Sequence, residues 1–308
     1  MGLLDVVLGY DCNLGCDYCT LTPAMRKQAL TTAAVRGALV RAREDGLSAV
    51  SFTGGEPTIR PDLLPLVREA RRLGFEDVKV QTNGLLLAER PNVERLAAAG
   101  VTRVHISVHS HRPQAYERIV RRAGTFPLME QALRNVAACG DLVAHADLIV
   151  MRQTLATLPR AIPWIAERGV GRAFLWYVSL TDGNRDNFAS LPPIRDALPQ
   201  MFAAFDQAAD LGVDLKSLHV PRCLLGDYAD RAHDPGAGRV RVLTPEASFE
   251  LQDAPLTPGQ HVEACRGCAH EAYCPGIRRD YLEVFGDEEI AAARGKPPAL
   301  GPTRLPVL

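Results

Sequence analysis

Short apolar runs alternate along the chain with longer segments whose apolar residues recur every three or four positions. The runs predict β-strands and the longer segments predict amphipathic helices. The predicted strands cover residues 5–9, 49–53, 77–82, 103–108, 144–151 and 172–178. The predicted helices cover residues 31–45, 61–73, 92–99, 126–138, 158–168 and 194–211. This alternation predicts an α/β fold, a partial (β/α)6 barrel, although the spacing alone does not exclude a doubly wound sheet.

The alternation stops after residue 211. A region rich in proline and glycine follows, at about 218–258, with weak strand signals at 239–243 and 248–251. We therefore predict a barrel unit at residues 1–215 and a small C-terminal appendage at 216–308. The boundary falls near 212–219, and a proline-rich tail begins at residue 295.

Composition and charge narrow the functional classes. The chain has 308 residues, 47% of them apolar and 23% charged, with a formal net charge of -1. This charge balance argues against binding to nucleic acid through bulk electrostatics. The start lacks a basic leader, and no apolar run approaches the roughly 20 residues that span a bilayer. We expect a cytoplasmic protein without membrane contact, in which eight cysteines indicate metal or redox chemistry.

Three cysteines lie close together after the first predicted strand, in a C-x3-C-x2-C array of Cys12, Cys16 and Cys19. Three thiolates suit three irons of a [4Fe–4S] cluster and leave the fourth iron open for a small molecule. The alternatives are structural zinc, which usually takes four protein ligands, and three unrelated core cysteines. The tight spacing on a strand-end loop favours the cluster.

The array resembles the signature of the radical S-adenosylmethionine (radical SAM) superfamily, with the aromatic Tyr18 just before the third cysteine. GGEP after the second strand, Thr82-Asn83-Gly84 after the third and Ser107 on the fourth strengthen the resemblance. It implies that the cluster binds S-adenosylmethionine at its open iron. The cofactor-binding residues that it implies are Tyr18, Gly54, Gly55, Glu56, Pro57, Asn83 and Ser107.

Each of these residues also has an ordinary structural reading. The two glycines leave room for backbone carbonyls to approach the methionine ammonium, but they also suit a tight strand-to-helix turn before Pro57. Asn83 and Ser107 are common turn or cap residues. Tyr18 could simply pack.

A second group of cysteines lies near the C-terminus, Cys265, Cys268 and Cys274 in a C-x2-C-x5-C array, with Cys223 upstream. Four thiolates suffice for a second [4Fe–4S] cluster or for zinc, and His270 could replace Cys223. The pattern resembles the auxiliary-cluster (SPASM/twitch) domain of anaerobic sulfatase maturases. That domain has a further cysteine where this chain has Arg278, which favours one auxiliary cluster.

Strand periodicity places His105 and His109 on the same side as Ser107, toward the predicted pocket. Either could donate a hydrogen atom or a proton, and either could be a satisfied core histidine. The same two interpretations, a catalytic residue or an ordinary core residue, apply to His111, Asp147, Trp176 and Tyr177. Isolated Cys139 is read as a small buried hydrophobe.

The resemblance implies reductive cleavage of S-adenosylmethionine to a 5′-deoxyadenosyl radical that modifies a peptide or a small natural product or metabolite. Oxidation, epimerisation and C–C or C–S bond formation all fit. A flavodoxin or ferredoxin would supply electrons. The barrel begins almost at the first residue, so we expect no leader-peptide module before it. The alternative is a non-catalytic iron–sulfur electron carrier or a zinc-binding protein, which would have no need of the GGEP segment.

Overall fold

The computed structural model describes residues 2–233, 238–253, 259–272 and 274–294. Within them, the strands of one sheet are β1 (Leu3–Val7), β2 (Ala49–Thr53), β3 (Asp77–Thr82), β4 (Arg103–Ser107), β5 (Val143–Val150), β6 (Arg172–Tyr177), β7 (Asp214–Leu218), β8 (Val240–Leu243) and β9 (Ser248–Glu250). The helices are α1 (Thr32–Glu44), α2 (Leu63–Arg72), α3 (Arg90–Ala99), α4 (Pro113–Val120), α5 (Phe126–Ala137), α6 (Leu158–Ala166), α7 (Ile194–Asp210), α8 (Arg279–Phe285) and α9 (Glu288–Arg294).

The spatial order of the strands is β7-β6-β5-β4-β3-β2-β1-β8-β9. Every neighbouring pair is parallel except β8 and β9, which are antiparallel. The sheet is not closed, because β7 and β9 stand at its two ends. The predicted partial barrel is therefore confirmed, and all six predicted strands are present with ends shifted by only one or two residues.

The sheet is wider than six strands. The added strand β7 pairs in parallel with β6 and spans the predicted domain boundary at residues 215 and 216. Both weak strand signals of the appendage are confirmed as β8 and β9, and β8 pairs in parallel with β1. The hairpin of the appendage thus extends the sheet of the barrel. The predicted tail from residue 295 lies outside the described residues, as do residues 234–237 and 254–258.

Helix α4 was not predicted from the sequence. It has only eight residues, it begins with Pro113 at its first turn, and it buries Tyr116, Ile119 and Val120. Its apolar positions are at helical spacing, but the segment is too short for its pattern to stand out from a loop. It follows the strand-end motif after β4 directly, which places it beside the candidate site.

The two faces of the sheet differ in chemistry. One face is apolar and packs in the main hydrophobic core; its residues include Leu4, Val6, Val50, Phe52, Val78, Val80, Val104 and Ile106. By strand alternation and register, the other face carries the polar residues Asp5, Ser51, Lys79, His105 and Asp147, which we call the inner face. In an open parallel barrel, that second face lines the interior and leads up to the carboxyl ends of the strands.

A search of the described helices found none that combines the length and the apolar character needed to cross a membrane.

Candidate active site

The loop that carries Cys12, Cys16 and Cys19 is held on one side by the C-terminal end of α4. The Gly15 N–H donates to the Val120 carbonyl at 3.3 Å, and the Asp17 N–H donates to the Ile119 carbonyl at 2.9 Å. These carbonyls are free because the last turn of a helix has no partners of its own. The backbone between the cysteines therefore takes its shape from α4.

The segment after β6 holds the same loop from the other side. The Asn184 amide donates to the Tyr18 carbonyl at 2.6 Å, and the Asn187 amide donates to the Asp17 carbonyl at 2.9 Å. Asn184 is buried in a capping box with Thr181, which fixes its side chain. The cysteine loop is thus clamped between two segments distant from it in the sequence.

Arg26 adds a positive charge beside the thiols. Its guanidinium donates to the carbonyls of Cys12 and Leu14, at 3.3 and 3.0 Å, and its second terminal nitrogen lies 3.9 Å from the Cys19 sulfur. A guanidinium in this position stabilises negative charge on nearby sulfurs.

The two consecutive glycines bring the loop after β2 onto the backbone that leads to Cys12. A Cβ on Gly54 would lie 2.3 Å from the Gly9 carbonyl oxygen, and one on Gly55 would lie 2.1 Å from that of Asp11. The Gly55 N–H donates to the Gly9 carbonyl, and the Glu56 N–H donates to the Asp11 carbonyl, both at 2.8 Å. The space that a side chain would need is therefore filled by the protein's own backbone.

Glu56 joins the loops after β2 and β3. One carboxylate oxygen accepts hydrogen bonds from the Thr58 N–H, the Thr58 hydroxyl and the Thr82 hydroxyl, at 3.0, 2.5 and 2.6 Å. The other accepts from the Asn83 N–H at 2.7 Å. Burial raises the pKa of Glu56 although these donors oppose the shift. Four donors fix a side chain that is only 2% exposed, and Pro57 follows it at the start of a single helical turn.

Asn83 links this network to the cysteine loop. Its side-chain carbonyl accepts from the Leu85 N–H at 3.0 Å, which fixes the amide orientation. The amide nitrogen then donates to the Asn13 side chain at 2.7 Å and lies 4.0 Å from the Cys12 sulfur. Glu56, Asn83 and Cys12 are therefore brought together by the ends of three neighbouring strands.

Tyr18 and His109 meet beneath the cysteine loop. The Tyr18 hydroxyl lies 2.9 Å from His109 Nε2, and the two rings pack edge to face. The other side of the imidazole stacks on Tyr116 of α4 at 5.9 Å. Burial lowers the pKa of His109 to about 4, so this histidine is neutral at physiological pH.

His105 lies deeper on the inner face, in a buried polar chain with β5. Its Nδ1 lies 3.3 Å from an Asp147 carboxylate oxygen, and its Nε2 lies 2.8 Å from His145 Nδ1. Burial lowers the pKa of both histidines, to about 3 for His145. Ser107 is the register partner of Asp147 at the end of β4 and is half-buried. The two predicted histidines thus occupy different surroundings.

The C-terminal cysteines lie in turns of the appendage. The Cys268 N–H donates to the Cys265 carbonyl at 3.0 Å. Burial raises the pKa of Cys274, and the negative charges of Cys265 and Cys268 raise it further. Cys223 lies in a separate turn, Arg222–Leu224, and both this turn and that of Cys265 contact α9. In the described part of the chain, no three His, Cys, Asp or Glu side chains are grouped so as to hold a single metal ion.

Arg278 occupies the position at which the SPASM/twitch domain has a further cysteine. Its guanidinium donates to the carbonyls of Tyr177 and Val178, at 3.0 and 2.9 Å, and pairs with Asp280. Asp280 accepts in turn from the Leu180 N–H at 2.7 Å. Arg278 therefore docks the appendage on the carboxyl end of β6.

With this geometry in place, comparison with known proteins identifies the family. The family model described as Radical SAM superfamily matches residues 6–155, which include the cysteine loop, GGEP, Asn83 and the whole of β4. This chain belongs to the radical SAM superfamily.

Two curated relatives illustrate the range of radical SAM proteins that the chain resembles. It is 32% identical over 201 residues to the PqqA peptide cyclase of Gluconobacter oxydans, covering 65% of this chain and 55% of that protein. It is 31% identical over 232 residues to the GTP 3′,8-cyclase of Paenarthrobacter nicotinovorans, covering 71% of this chain and 64% of the relative. The chain thus spans less than two thirds of the length of either relative.

Two solved structures share the fold. The structure titled native anSMEcpe with bound AdoMet and Cp18Cys peptide has a TM-score of 0.65 at 15% identity, covering 95% of this chain and 98% of that chain. The structure of Streptococcus suis SuiB bound to S-adenosylmethionine has a TM-score of 0.63 at 15% identity, covering 95% of this chain and 67% of that chain. These similarities support the architecture of barrel and appendage alike.

The superfamily implies a [4Fe–4S] cluster and S-adenosylmethionine, and the cysteine loop fits the cluster. Burial, together with neighbouring Cys19 and Cys12, raises the pKa of Cys16 to about 12. Because burial and the neighbouring thiols oppose ionisation of Cys16, its thiolate needs positive charge close by, which iron supplies when it binds.

Sequence reasoning missed Arg26, Asn13, Arg122 and Asn184, all of which hold the cysteine loop. Only Asn184 carried a local signal, since Thr181 and Asn184 have capping-box spacing. Arg26, Asn13 and Arg122 hold the loop through contacts that form only when the chain folds, so no local pattern marks them.

Proposed function

We propose that this protein is a radical SAM enzyme that cleaves S-adenosylmethionine reductively at a [4Fe–4S] cluster held by Cys12, Cys16 and Cys19. The convergence of Glu56 and Asn83 on the Cys12 loop is the observation that carries the proposal. A protein that used iron only for structure would have no need of a buried carboxylate joining two strand ends beside its cysteines. When bound, the cluster would supply one electron for the reductive cleavage of S-adenosylmethionine, and the resulting 5′-deoxyadenosyl radical would take a hydrogen atom from the substrate.

The residues beside the cysteine loop would seat S-adenosylmethionine. Gly54, Gly55 and Pro57 give the loop after β2 its close path along the Cys12 segment, so its remaining backbone groups can bind the methionine end. Asn83 has one amide N–H near the cysteines, and the half-buried Ser107 offers a hydroxyl for the ribose or carboxylate. Tyr18 would offer its ring to the adenine, with its hydroxyl fixed by His109.

The substrate proposed for this site is a peptide or a small natural product or metabolite. The inner face supports a polar substrate, because Asp147, His105 and Lys79 lie along it. Relatives named for a peptide and for GTP support the same range of substrates. Oxidation, epimerisation and C–C or C–S bond formation remain the proposed reactions, with His105 or His109 as donor of a proton or hydrogen atom.

We also propose that residues 216–308 form an auxiliary domain of SPASM/twitch type, holding one further [4Fe–4S] cluster. Cys265, Cys268 and Cys274 would be three of its ligands and Cys223 the fourth. The proximity of the first three and the shared packing of two cysteine turns on α9 support this arrangement. A flavodoxin or ferredoxin in the cytoplasm is the proposed electron donor.

Anaerobic reconstitution with iron and sulfide, followed by dithionite and S-adenosylmethionine, tests the main proposal. We expect 5′-deoxyadenosine from the wild type and none from Cys16→Ala. Cys139→Ala is the matched control, because Cys139 lies outside both cysteine groups and should leave product formation unchanged. A colourless protein that holds only zinc would overturn the proposal in favour of a zinc-binding protein, and a stable cluster without cleavage would favour an electron carrier.

Iron counting tests the auxiliary cluster separately. A Cys12/Cys16/Cys19→Ala variant should retain about half of the wild-type iron, because the C-terminal cysteines are intact. A variant without iron would contradict the second cluster while leaving the first proposal standing.

A further inference from the structure

The C-terminal end of α4 carries an excess of positive charge. Four of the eleven residues 112–122 are arginines and one is acidic, although the whole chain has a formal net charge of -1. Three of these arginines are exposed at the end of the helix and form no ion pair with any residue that the structure describes, namely Arg118, Arg121 and Arg122. The acids nearby, Glu117 and Asp17, are half-buried and offset only part of this charge.

This basic end of α4 lies against the cysteine loop. The Gly15 N–H donates to the Val120 carbonyl at 3.3 Å, and the Arg122 guanidinium donates to the Asn13 carbonyl at 2.9 Å. Gly15 itself is exposed, and a Cβ there would meet no atom within 4 Å. The cysteine loop therefore faces open space directly beside the basic end of α4.

Exposed apolar side chains lie on two segments next to this loop. Leu86 is 38% exposed and Leu128 is 41% exposed. Leu86 follows Asn83, whose amide donates to the Asn13 side chain at 2.7 Å, and Leu128 lies in the first turn of α5, shortly after Arg122. Exposed apolar groups with arginines around them are typical of surfaces that bind another protein.

A small acidic electron-carrier protein fits this surface. The proposed reaction takes one electron from outside for each S-adenosylmethionine that is cleaved, and a protein carrier must approach the cysteine loop closely to pass that electron. Negative charge on the carrier would be attracted by the arginines, which speeds association and orients the encounter. Electron-transfer complexes are transient and bury little surface, so a few basic and apolar side chains are sufficient.

We propose that an acidic one-electron carrier protein docks at the end of α4 and passes its electron to the cluster of the cysteine loop from there. The inference rests on the proposed function, since it concerns the reduction of that cluster. In each encounter the carrier is oxidised by one electron and the cluster is reduced by one. The α4 docking surface comprises Arg118, Arg121, Arg122, Leu86, Leu128 and the exposed backbone at Gly15.

A purified flavodoxin, used as the acidic carrier with the reconstituted full-length protein, tests the inference. The variant is Arg118→Glu/Arg121→Glu, which leaves Arg122 in place because that residue also holds the cysteine loop. Calorimetric titration at low salt should show flavodoxin binding weakened by about tenfold or more. Formation of 5′-deoxyadenosine driven by flavodoxin and its NADPH-dependent reductase should slow by a similar factor. With excess dithionite, which needs no docking surface, the rate should equal that of the wild type.

Arg41→Glu/Arg68→Glu is the matched control. Both arginines are exposed, they lie on α1 and α2, and neither forms an ion pair in the described part of the chain. This variant has the same change in net charge and should keep wild-type binding and wild-type rates. Arg118→Lys/Arg121→Lys, which retains the charge, should do the same. High salt should weaken flavodoxin binding by the wild type and reduce its difference from the glutamate variant, because salt screens exposed charges.

Wild-type binding and a wild-type flavodoxin-driven rate in Arg118→Glu/Arg121→Glu would overturn the inference and indicate that electrons enter at another surface. An equal loss in Arg41→Glu/Arg68→Glu would also overturn it, because net charge alone would then explain the effect. If the glutamate variant holds less iron than the wild type, Arg118→Glu alone decides, and wild-type flavodoxin binding in that variant refutes the docking surface. A wild-type protein that forms no 5′-deoxyadenosine even with dithionite would instead refute the proposed function, so the two failures are distinct.

Discussion

At the residue scale, Gly55 shows how a missing side chain shapes the site. Its φ is outside the left-handed region, so only space forbids a side chain there. A Cβ would lie 2.1 Å from the Asp11 carbonyl oxygen, and a backbone oxygen cannot move aside as a flexible side chain would. The glycine is required by the close approach of two loops, which in turn sets the position of Cys12.

We expect Gly55→Ala to destabilise the fold by at least about 2 kcal/mol and to reduce iron binding on reconstitution, because the two loops must separate. Gly15→Ala is the control. Gly15 lies inside the cysteine loop, yet a Cβ there meets no atom within 4 Å. Urea unfolding and iron analysis of both variants make the comparison. Equal behaviour of the two would show that the contact with Asp11 does not constrain the site.

His109 predicts a specific dependence of stability on pH. Its pKa is lowered by burial to about 4, against about 6.5 in an unfolded chain. Between these values the unfolded state binds the extra proton, so the free energy of unfolding falls as the pH falls from about 6.5 toward 4. His109→Gln removes this titration. The stability difference between wild type and variant should change by about 2 kcal/mol between pH 7 and pH 5.

Urea unfolding of both proteins without the cluster, at several pH values, checks this prediction. The wild-type curve should fall more steeply than that of the variant below pH 6.5, and parallel curves would contradict a neutral buried His109.

At the element scale, α4 supports the cysteine loop with its C-terminal end. Besides the two backbone hydrogen bonds from the loop, the Arg122 guanidinium just beyond α4 donates to the Asn13 carbonyl at 2.9 Å. These contacts reach residues about a hundred positions away in the chain. A helix of eight residues thus positions the ligands of the proposed cluster without supplying any of them.

We expect Arg122→Ala to destabilise the folded conformation of the cysteine loop by about 1 kcal/mol, the usual net free energy of such a hydrogen bond. Loss of iron to a chelator should then be about fivefold faster. Arg118→Ala, also an exposed arginine at this end of α4, serves as the control and should release iron at the wild-type rate. Stopped-flow absorbance with a ferrous chelator measures both rates. Identical rates for the wild type and both variants would show that the contact at the end of α4 does not affect how firmly the cysteine loop holds iron.

At the scale of the whole molecule, the appendage and the barrel are one packed structure. The β8–β9 hairpin extends the sheet beside β1, and the Tyr10 hydroxyl donates to Glu246 at 2.6 Å. On the opposite side, Arg278 and Asp280 bind the backbone after β6. The appendage therefore contacts the sheet at two separate places, beside β1 and at the carboxyl end of β6.

Arg278→Ala should lower the free energy of unfolding by about 2–3 kcal/mol, because Asp280 would lose its cation and two carbonyls would lose their donor. It should also expose the appendage to limited proteolysis. Arg279→Ala, at the next, exposed position, is the matched control and should leave both properties unchanged. Unfolding by urea and a trypsin time course compare the two variants, and a proteolysis pattern shared with wild type would refute the docking role.

Much of this fold was predictable from the sequence. The six strands and their helices follow from local apolar periodicity, and the cysteine loop follows from spacing within eight residues. The elements that escaped prediction were three short helices, α4, α8 and α9, and the strand β7. Helices of seven or eight residues are too short to show a clear period, and β7 lies where the alternation of strands and helices ends. The role of Gly54 and Gly55 was also read differently, because the sequence could not reveal that Gly9 and Asp11 fill the space beside them.

The sequence by itself determined the order of strands and helices, the three thiols in one loop and the family signature, because each depends on residues close together in the chain. Only the tertiary structure decided which donors surround Glu56, how α4 and Asn184 clamp the cysteine loop, and that Arg278 docks the appendage. Apart from the Thr58 donors to Glu56, these contacts join residues 26 to 166 positions apart. No local pattern encodes such pairs, since each arises when distant strand ends meet at one edge of the sheet.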